Sequence, residues 1–178
     1  MNNLKVRTAT AEDVEILAAL IDGFASTHPA SECERSVDGL REAYFSAQAV
    51  GHVLIAEKGG CPIGFGVWRK TYDVFWSMFG GDGLGLYVRP SHRGHGVAIA
   101  IVAAMCDEIR RQGGRFLQTS YDPELAGLYE RIAVGRAERA CHVSARAFDA
   151  LAGLAGKTPR EIVRALPDKA FNFAPSTS

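Results

Sequence analysis

The stretch "LGLYVRPSHRGHGVA", residues 84–98, decides the fold because it joins a strand to a helix through a glycine-rich turn. Residues 84–88 predict a strand, and Pro90 must end it because proline cannot continue a central strand. Residues 97–112 then show the apolar spacing of a long helix, which Gly113 and Gly114 close. The sequence therefore predicts a strand, a glycine turn and a helix in direct succession.

The charges at this junction indicate an anion site. A helix N-terminus exposes unpaired N–H groups and the positive end of the helix dipole. Ordinary helices carry Asp or Glu in the first turn, but no acid occurs between residues 89 and 106, and four residues between 89 and 95 are basic. Gly94 and Gly96 allow a phosphate to approach the backbone closely. We interpret the junction as a phosphate site, the alternative being a basic turn without a ligand.

The rest of the chain predicts strands and helices around this junction. Its pattern indicates a mixed α/β domain of ordinary composition, long enough at 178 residues for a substantial core. The predicted elements are a short strand running into a capped helix over residues 4–13, a helix at 37–45, a hairpin around 58–60, a strand at 115–121, a helix at 124–132, a strand at 141–148, and a helix with Thr158 as N-cap and Pro159 at its first position.

Composition excludes several classes of function. The net charge is zero, which disfavours nucleic-acid binding because that depends on neutralising phosphates. The apolar run at residues 97–106 is too short to span a membrane, and no signal peptide is evident, so we expect a cytoplasmic protein without a membrane partner. The four cysteines have no metal-ligand spacing, and we expect no metal and no catalytic thiol.

Two short motifs resemble those of the GNAT acyltransferases. "RGHGVA", residues 93–98, is similar to the signature Gln/Arg-x-x-Gly-x-Gly/Ala, and "LYERI", residues 128–132, is similar to the family's next landmark, with Tyr129 in the tyrosine position. The resemblance runs from about Leu4 to Phe148. It implies a GNAT-type mixed, mostly antiparallel sheet, with helices on both faces and a splayed central strand pair. We expect one domain over residues 1–178, with 149–178 as a C-terminal extension.

The resemblance also implies a chemistry. It implies an N-acetyltransferase in which an amine attacks the thioester of acetyl-CoA directly, Tyr129 protonates the leaving thiolate, and the Leu86 N–H polarises the thioester carbonyl. Asp122 stands where the family often has an Asn that contacts the cofactor arm. The remaining cofactor-binding residues implied are Tyr87 and Val88 along the pantetheine, and Arg93, Gly94, His95, Gly96, Val97 and Ala98 around the pyrophosphate.

The acceptor is less well defined by the sequence. Residues 62–90 are similar in length, and in a Thr-Tyr pair, to the polyamine branch of the family, although that branch often has an acid in the strand where Leu84 and Gly85 stand. We expect a small-molecule amine, and the candidate acceptor residues are Asp82, His28, Glu32, Phe75 and Trp76. Each has a plainer alternative, as a turn residue, a solvated polar residue or a core aromatic.

Two other functions and one assembly remain open at this point. The chain can instead acetylate a protein N-terminus or lysine, or bind acyl-CoA as a sensor without turnover. The apolar stretches "FDALAGLAG" and "EIVRAL", residues 148–156 and 161–166, predict a homodimer contact, the alternative being that they pack on their own chain.

Overall fold

The computed structural model describes residues 4–27, 36–120, 132, 135–137 and 140–166, and these residues form a mixed α/β fold around one sheet. The sheet has seven strands in the order β1-β2-β3-β4-β5-β7-β6. Among these strands β4 and β5 pair in parallel and all other neighbours pair antiparallel. The mixed, mostly antiparallel sheet confirms the predicted fold class. The strands are β1 (Leu4–Thr8), β2 (His52–Lys58), β3 (Cys61–Asp73), β4 (Met78–Val88), β5 (Phe116–Ser120), β6 (Gly135–Ala137) and β7 (Ala140–Ser144).

Helices cover both faces of this sheet, as predicted. On one face, Leu17 and Leu20 of the first helix are fully buried against Phe65 of β3. On the other face, the third helix packs its apolar residues on the sheet around the buried Trp68. The helices are α1 (Val14–Ala25), α2 (Val37–Phe45), α3 (Val97–Arg111), α4 (Ala145–Gly153) and α5 (Pro159–Ala165). In the part of the chain described here, no helix is long and apolar enough to cross a membrane.

The C-terminal helices α4 and α5 pack on α3 of the same chain. Phe148, Leu151 and Ile162 are completely buried in the cluster that α3 forms with the sheet. The apolar stretches on which the dimer prediction depended are therefore used inside the chain, and their surface does not support that prediction. The strand predicted at 141–148 ends at Ser144, because the following residues form α4. The three-residue strand β6 was not predicted.

The β3–β4 hairpin is longer than the sequence indicated. The alternative interpretation of Asp82 placed it in a turn, but β4 runs through this glycine-rich segment. Gly80 and Gly81 lie where a Cβ would collide with Phe116 and Ile109. Glycine is needed there so that α3 and β5 can pack closely on β4. The turn lies instead at residues 74–77, where Asp73 Oδ1 accepts hydrogen bonds from the following backbone N–H groups.

Candidate active site

Strands β4 and β5 pair in parallel over a short stretch at the centre of the sheet. They pair only over Gly81–Gly83 and Leu117–Thr119 among the described residues, and Thr119 Oγ1 donates a hydrogen bond to the Gly83 carbonyl at 3.1 Å. Beyond that point β4 continues to Val88 without a described β5 partner. The resemblance to the GNAT family implies a splayed strand pair at this place. A small cavity opens in the splay, lined by Gly83, Gly85, Leu86, Val102, Met105, Leu117, Thr119 and Val143.

The register of β4 directs alternate backbone groups into this splay. Arg89 N–H donates to the Ile63 carbonyl at 2.8 Å, so the backbone groups of Arg89 point toward β3. Backbone groups alternate in direction along an antiparallel pair, and the pairing is regular from Gly64 to Val67. The N–H groups of Leu86 and Val88 therefore point away from β3, toward the side of β4 on which β5 lies. Leu86 N–H is thus directed to the edge of β4 along which an extended ligand could pair.

The first turn of α3 has neither an acid nor a side-chain cap. Its N-cap is Gly96, whose φ of 78° is left-handed, and Gly94 has a similar φ of 75°. Such angles favour glycine. By contrast, α1, α2 and α5 each carry an acidic residue in their first turn, whereas α4 carries none. The N-terminal N–H groups of α3 are therefore left for something other than the protein's own carboxylates.

Side chains brace the loop that precedes α3. Arg93 Nε donates to the Val88 carbonyl at 2.9 Å, which ties the loop to the end of β4. His95 Nδ1 lies 2.7 Å from the Arg93 carbonyl, and since a carbonyl only accepts, this nitrogen donates. Both side chains are thus engaged with the backbone. The loop can offer an anion its main-chain N–H groups from a fixed position.

A cavity of about 410 Å³ lies beside this loop. Residues from three other parts of the chain, the start of β1, the end of β2 and helix α5, complete its wall. Among the described residues, no Asp or Glu lines it. We predicted the loop residues but missed Lys58, Arg160 and Arg164. The i, i+4 spacing of the two arginines on α5 is the signal that could have indicated a shared face. The wall is formed by Leu4, Lys58, Ser91, His92, Gly94, His95, Gly96, Val97, Pro159, Arg160, Val163 and Arg164.

The predicted acceptor residues that the structure describes do not lie where the plainer alternatives placed them. Asp82 lies on β4 and not in a turn, and its Oδ2 forms an ion pair with Arg69 Nη2 at 2.9 Å. Phe75 and Trp76 are not core aromatics, because they are 82% and 60% exposed at the hairpin tip. The other predicted residues, Tyr129, Asp122, His28 and Glu32, lie outside the described residues.

Two cysteines can be assessed. Cys106 is fully buried in α3, and this burial raises the pKa of its thiol well above the ordinary value. A thiol with a raised pKa is a poor nucleophile at neutral pH. Cys61 is exposed at the start of β3. Both are free, and neither lines the cavities described above.

The Acetyltransferase (GNAT) family matches residues 17–135, which is more than half of the chain. The chain belongs to the GNAT acetyltransferases. The match includes the splayed strands, the loop and α3, and it ends before α4 and α5. Members of this family generally use acetyl-CoA as acetyl donor. No curated protein sequence matches the chain.

Solved structures with a similar fold come from several acetyltransferases. An aminoglycoside acetyltransferase, HMB0005, from an uncultured soil metagenomic sample has a TM-score of 0.65 and 16% identity, over 75% of this chain and 93% of that one. A ribosomal-protein-alanine N-acetyltransferase from Brucella melitensis biovar Abortus 2308 has a TM-score of 0.62 and 21% identity, over 75% and 92%. At these identities the likeness is one of fold.

Proposed function

We propose that this GNAT acetyltransferase transfers the acetyl group of acetyl-CoA to a primary amine of a small molecule, within a single domain formed by residues 1–178. The observation that carries the proposal is the opening between β4 and β5 next to the acid-free first turn of α3. A thioester placed in the splay and a pyrophosphate placed on the loop would occupy neighbouring parts of one site. Both parts meet α3, which lines the two cavities.

The backbone supplies the main contacts in this proposal. The N–H groups of residues 94–98 bind the pyrophosphate, because a helix N-terminus and left-handed glycines present donors to an anion. Arg93 N–H is not among them, because it donates to the Pro90 carbonyl at 3.2 Å. The pantetheine lies along Leu86–Val88 of β4 as an added strand, with Leu86 N–H donating to the thioester carbonyl oxygen. Asp122 accepts a hydrogen bond from the cofactor arm.

The chemical step is a direct displacement at the thioester carbonyl. The lone pair of the neutral amine forms the new C–N bond, and the C–S bond breaks to release the thiolate. Tyr129 gives its phenolic proton to that thiolate, because a phenol of pKa ~10 is protonated at pH 7 and a thiol has a pKa of ~8.5. The proton of the amine passes to water, with Asp82 as a candidate acceptor beside Gly83, where the splay begins.

The proposed acceptor is a small-molecule amine of the polyamine or small-amine kind. Asp82 lies on the strand that carries the splay, where its carboxylate is paired with Arg69. Phe75 and Trp76 lie at the hairpin tip at the other end of β4, roughly 25 Å along the strand from Leu86, so they do not belong to the acceptor site. In the candidate set, His28 and Glu32 complete the acceptor site. A screen of amines, aminoglycosides and peptides, read by release of free thiol, identifies the acceptor class, and a peptide substrate would contradict the small-molecule proposal.

Tyr129→Phe tests the mechanism. The variant keeps the ring but removes the transferable proton, so we expect kcat to fall by ~10²- to 10⁴-fold with little change in acetyl-CoA affinity. Tyr44→Phe on α2 is the matched control, since Tyr44 is a half-buried tyrosine outside the proposed site, with a pKa raised by burial. We expect the control to keep wild-type turnover.

The pH profile separates the two possible roles of Tyr129. If it is the general acid, the basic limb of the pH–rate profile changes when the phenol is removed. A Phe variant with wild-type turnover from pH 7 to 10 would show that water or the substrate donates the proton. Wild-type protein that binds acetyl-CoA but acetylates no acceptor in the screen would favour the sensor function.

A further inference from the structure

We infer that helix α5, which lies beyond the part of the chain that matches the family, is a component of the acetyl-CoA site and binds the 3′-phosphate of the coenzyme through Arg160 and Arg164. The inference rests on the proposed function. It assigns a role to a C-terminal helix that the proposed chemistry does not use, and it names the ligand group that the helix recognises.

Helix α5 sits directly on the loop before α3. A Cβ placed on Gly96 would lie 2.5 Å from the Cβ of Pro159, the first residue of α5. Gly96 is therefore required both by its left-handed φ and by the close approach of α5. The two elements are in van der Waals contact at the place where we put the pyrophosphate. Any phosphate just outside the loop would meet α5 next.

Helix α5 presents one face to the core and the other to the cavity. Ile162 and Leu166 are buried against α3, which fixes the rotation of the helix. Arg160, Val163 and Arg164 line the cavity beside the loop. Arginines four residues apart lie on the same face of a helix, one turn apart. Their guanidinium groups can therefore reach one ligand.

The single acid of α5 is occupied elsewhere. Glu161 Oε2 accepts hydrogen bonds from Thr158 N at 2.8 Å and Thr158 Oγ1 at 2.7 Å, which forms the capping box at the start of the helix. Within the described residues, neither arginine has an ion pair, nor does Lys58 across the cavity. Since no acid of the described chain lines the cavity, these cations are available to an anion.

The charge of the coenzyme indicates which group they bind. Coenzyme A carries a diphosphate and a separate phosphate monoester on its ribose. Backbone N–H groups of the loop suit the diphosphate, whereas a monoester with a charge between about −1.5 and −2 at pH 7 is the better partner for paired guanidinium groups. The cavity volume of about 410 Å³ is within the range of small-ligand sites. The adjacent monoester is thus the group left for α5.

The test compares coenzyme A with 3′-dephospho-coenzyme A in binding to three proteins. Calorimetry at one fixed ionic strength measures both ligands with wild-type protein, with an Arg160→Gln, Arg164→Gln double variant, and with an Arg110→Gln, Arg111→Gln control. The control changes the net charge equally, at the far end of α3. All four arginines are exposed, so the variants are expected to fold, and thermal unfolding checks this.

We expect wild-type protein and the control to bind coenzyme A about 10-fold or more tightly than the dephospho form. The α5 double variant should lose that preference by weakening coenzyme A alone. Equal binding of both ligands by wild-type protein, or a double variant that keeps the preference, would overturn the inference while leaving the proposed function intact. If wild-type protein binds neither ligand, the proposed function itself fails.

Discussion

Both ends of helix α3 have left-handed glycines, but only the C-terminal end is complemented by the protein itself. At the C-terminus, Gly113 has a φ of 82°, and its N–H donates to the Arg110 carbonyl at 3.0 Å, so the protein satisfies its own backbone. Arg110 and Arg111 there complement the negative end of the dipole. At the N-terminus, Gly94 and Gly96 are also left-handed, but no side chain caps the helix and its first turn holds no acid to complement the dipole.

This difference distinguishes a helix end that stabilises the fold from one that is suited to bind a ligand. Opposite charge at a helix end stabilises the folded chain by about 0.3–1 kcal/mol. The C-terminal end of α3 has this stabilisation, and the N-terminal end lacks it while facing a cavity with basic walls. The N-terminal end of α3, which has no acidic side chain to complement the positive end of the dipole, is suited to bind an anionic ligand.

The largest expected effect comes from placing an acid at each end. Gly94 and Gly113 have nearly equal φ, and both have open space where a Cβ would lie. Asp tolerates the left-handed region better than most residues. Gly94→Asp puts a carboxylate beside the proposed pyrophosphate, and we expect acetyl-CoA affinity to fall by about 2–3 kcal/mol, or roughly 30- to 150-fold. Calorimetry measures this change.

Gly113→Asp is the matched control for that experiment. It introduces the same residue in the same backbone conformation, so it reproduces the strain without touching the loop. We expect unchanged acetyl-CoA affinity and a small loss of stability, because an acid opposes the dipole at this end. Equal loss of affinity in both variants would show that strain, and not charge at the loop, controls binding.

A second prediction concerns Arg7, whose guanidinium group is already paired with two carboxylates of the chain. Arg7 donates to Asp13 Oδ1 and Oδ2 at 2.7 Å each and also to Glu57. These hydrogen bonds, together with those from Thr10, lower the pKa of the nearly buried Asp13 carboxyl from 3.8 to about 2. Its stabilisation is therefore complete above pH ~4 and is lost as the pH falls toward 2. We expect Asp13→Asn to reduce the free energy of unfolding by about 2 kcal/mol at pH 7.

Urea denaturation between pH 7 and pH 2.5 checks this second prediction. The gap between wild type and Asp13→Asn should shrink steadily below pH 4, and acetyl-CoA affinity at pH 7 should not change. Asp149→Asn, an exposed acid on α4, serves as the control and should have little effect. A gap that is independent of pH would mean that packing, and not the ionised carboxylate, stabilises this corner of the fold.

The sequence predicted best where local signals and tertiary packing agree. The limits of α2 at Val37–Phe45 were predicted correctly, and the structure shows that Ser36 caps the helix by accepting a hydrogen bond from Gly39 N–H. The end of α3 followed from its terminal glycines, and the start of α5 from Thr158 and Pro159. In the site, the glycine loop and the absence of acids were visible in the sequence itself.

The sequence failed where a residue's meaning depends on a distant neighbour. The glycines of β4 have the composition of a turn. Glycine is required there because Ile109 and Phe116, which belong to other elements, pack closely on the strand. The contribution of Arg160 and Arg164 to the cavity could not be predicted, because it depends on how α5 docks on the loop. Phe75 and Trp76 lie at an exposed tip because the β3–β4 hairpin is long. The glycines of β4 made that length unpredictable from the sequence.

The smallest expected effect lies at the well-complemented end of α3. Arg111 Nε pairs with Asp107 Oδ2 at 3.2 Å, and the arginine side chain is 64% exposed, so solvent screens the pair. Arg111→Ala should lower the free energy of unfolding by only ~0.5 kcal/mol, less at high salt, and leave acetyl-CoA affinity unchanged. Denaturation at low and high salt, with calorimetry alongside, measures both quantities. If Arg111→Ala weakened binding as much as Gly94→Asp does, the ligand would be sensing the charge of the whole helix, and the two ends would not have separate roles.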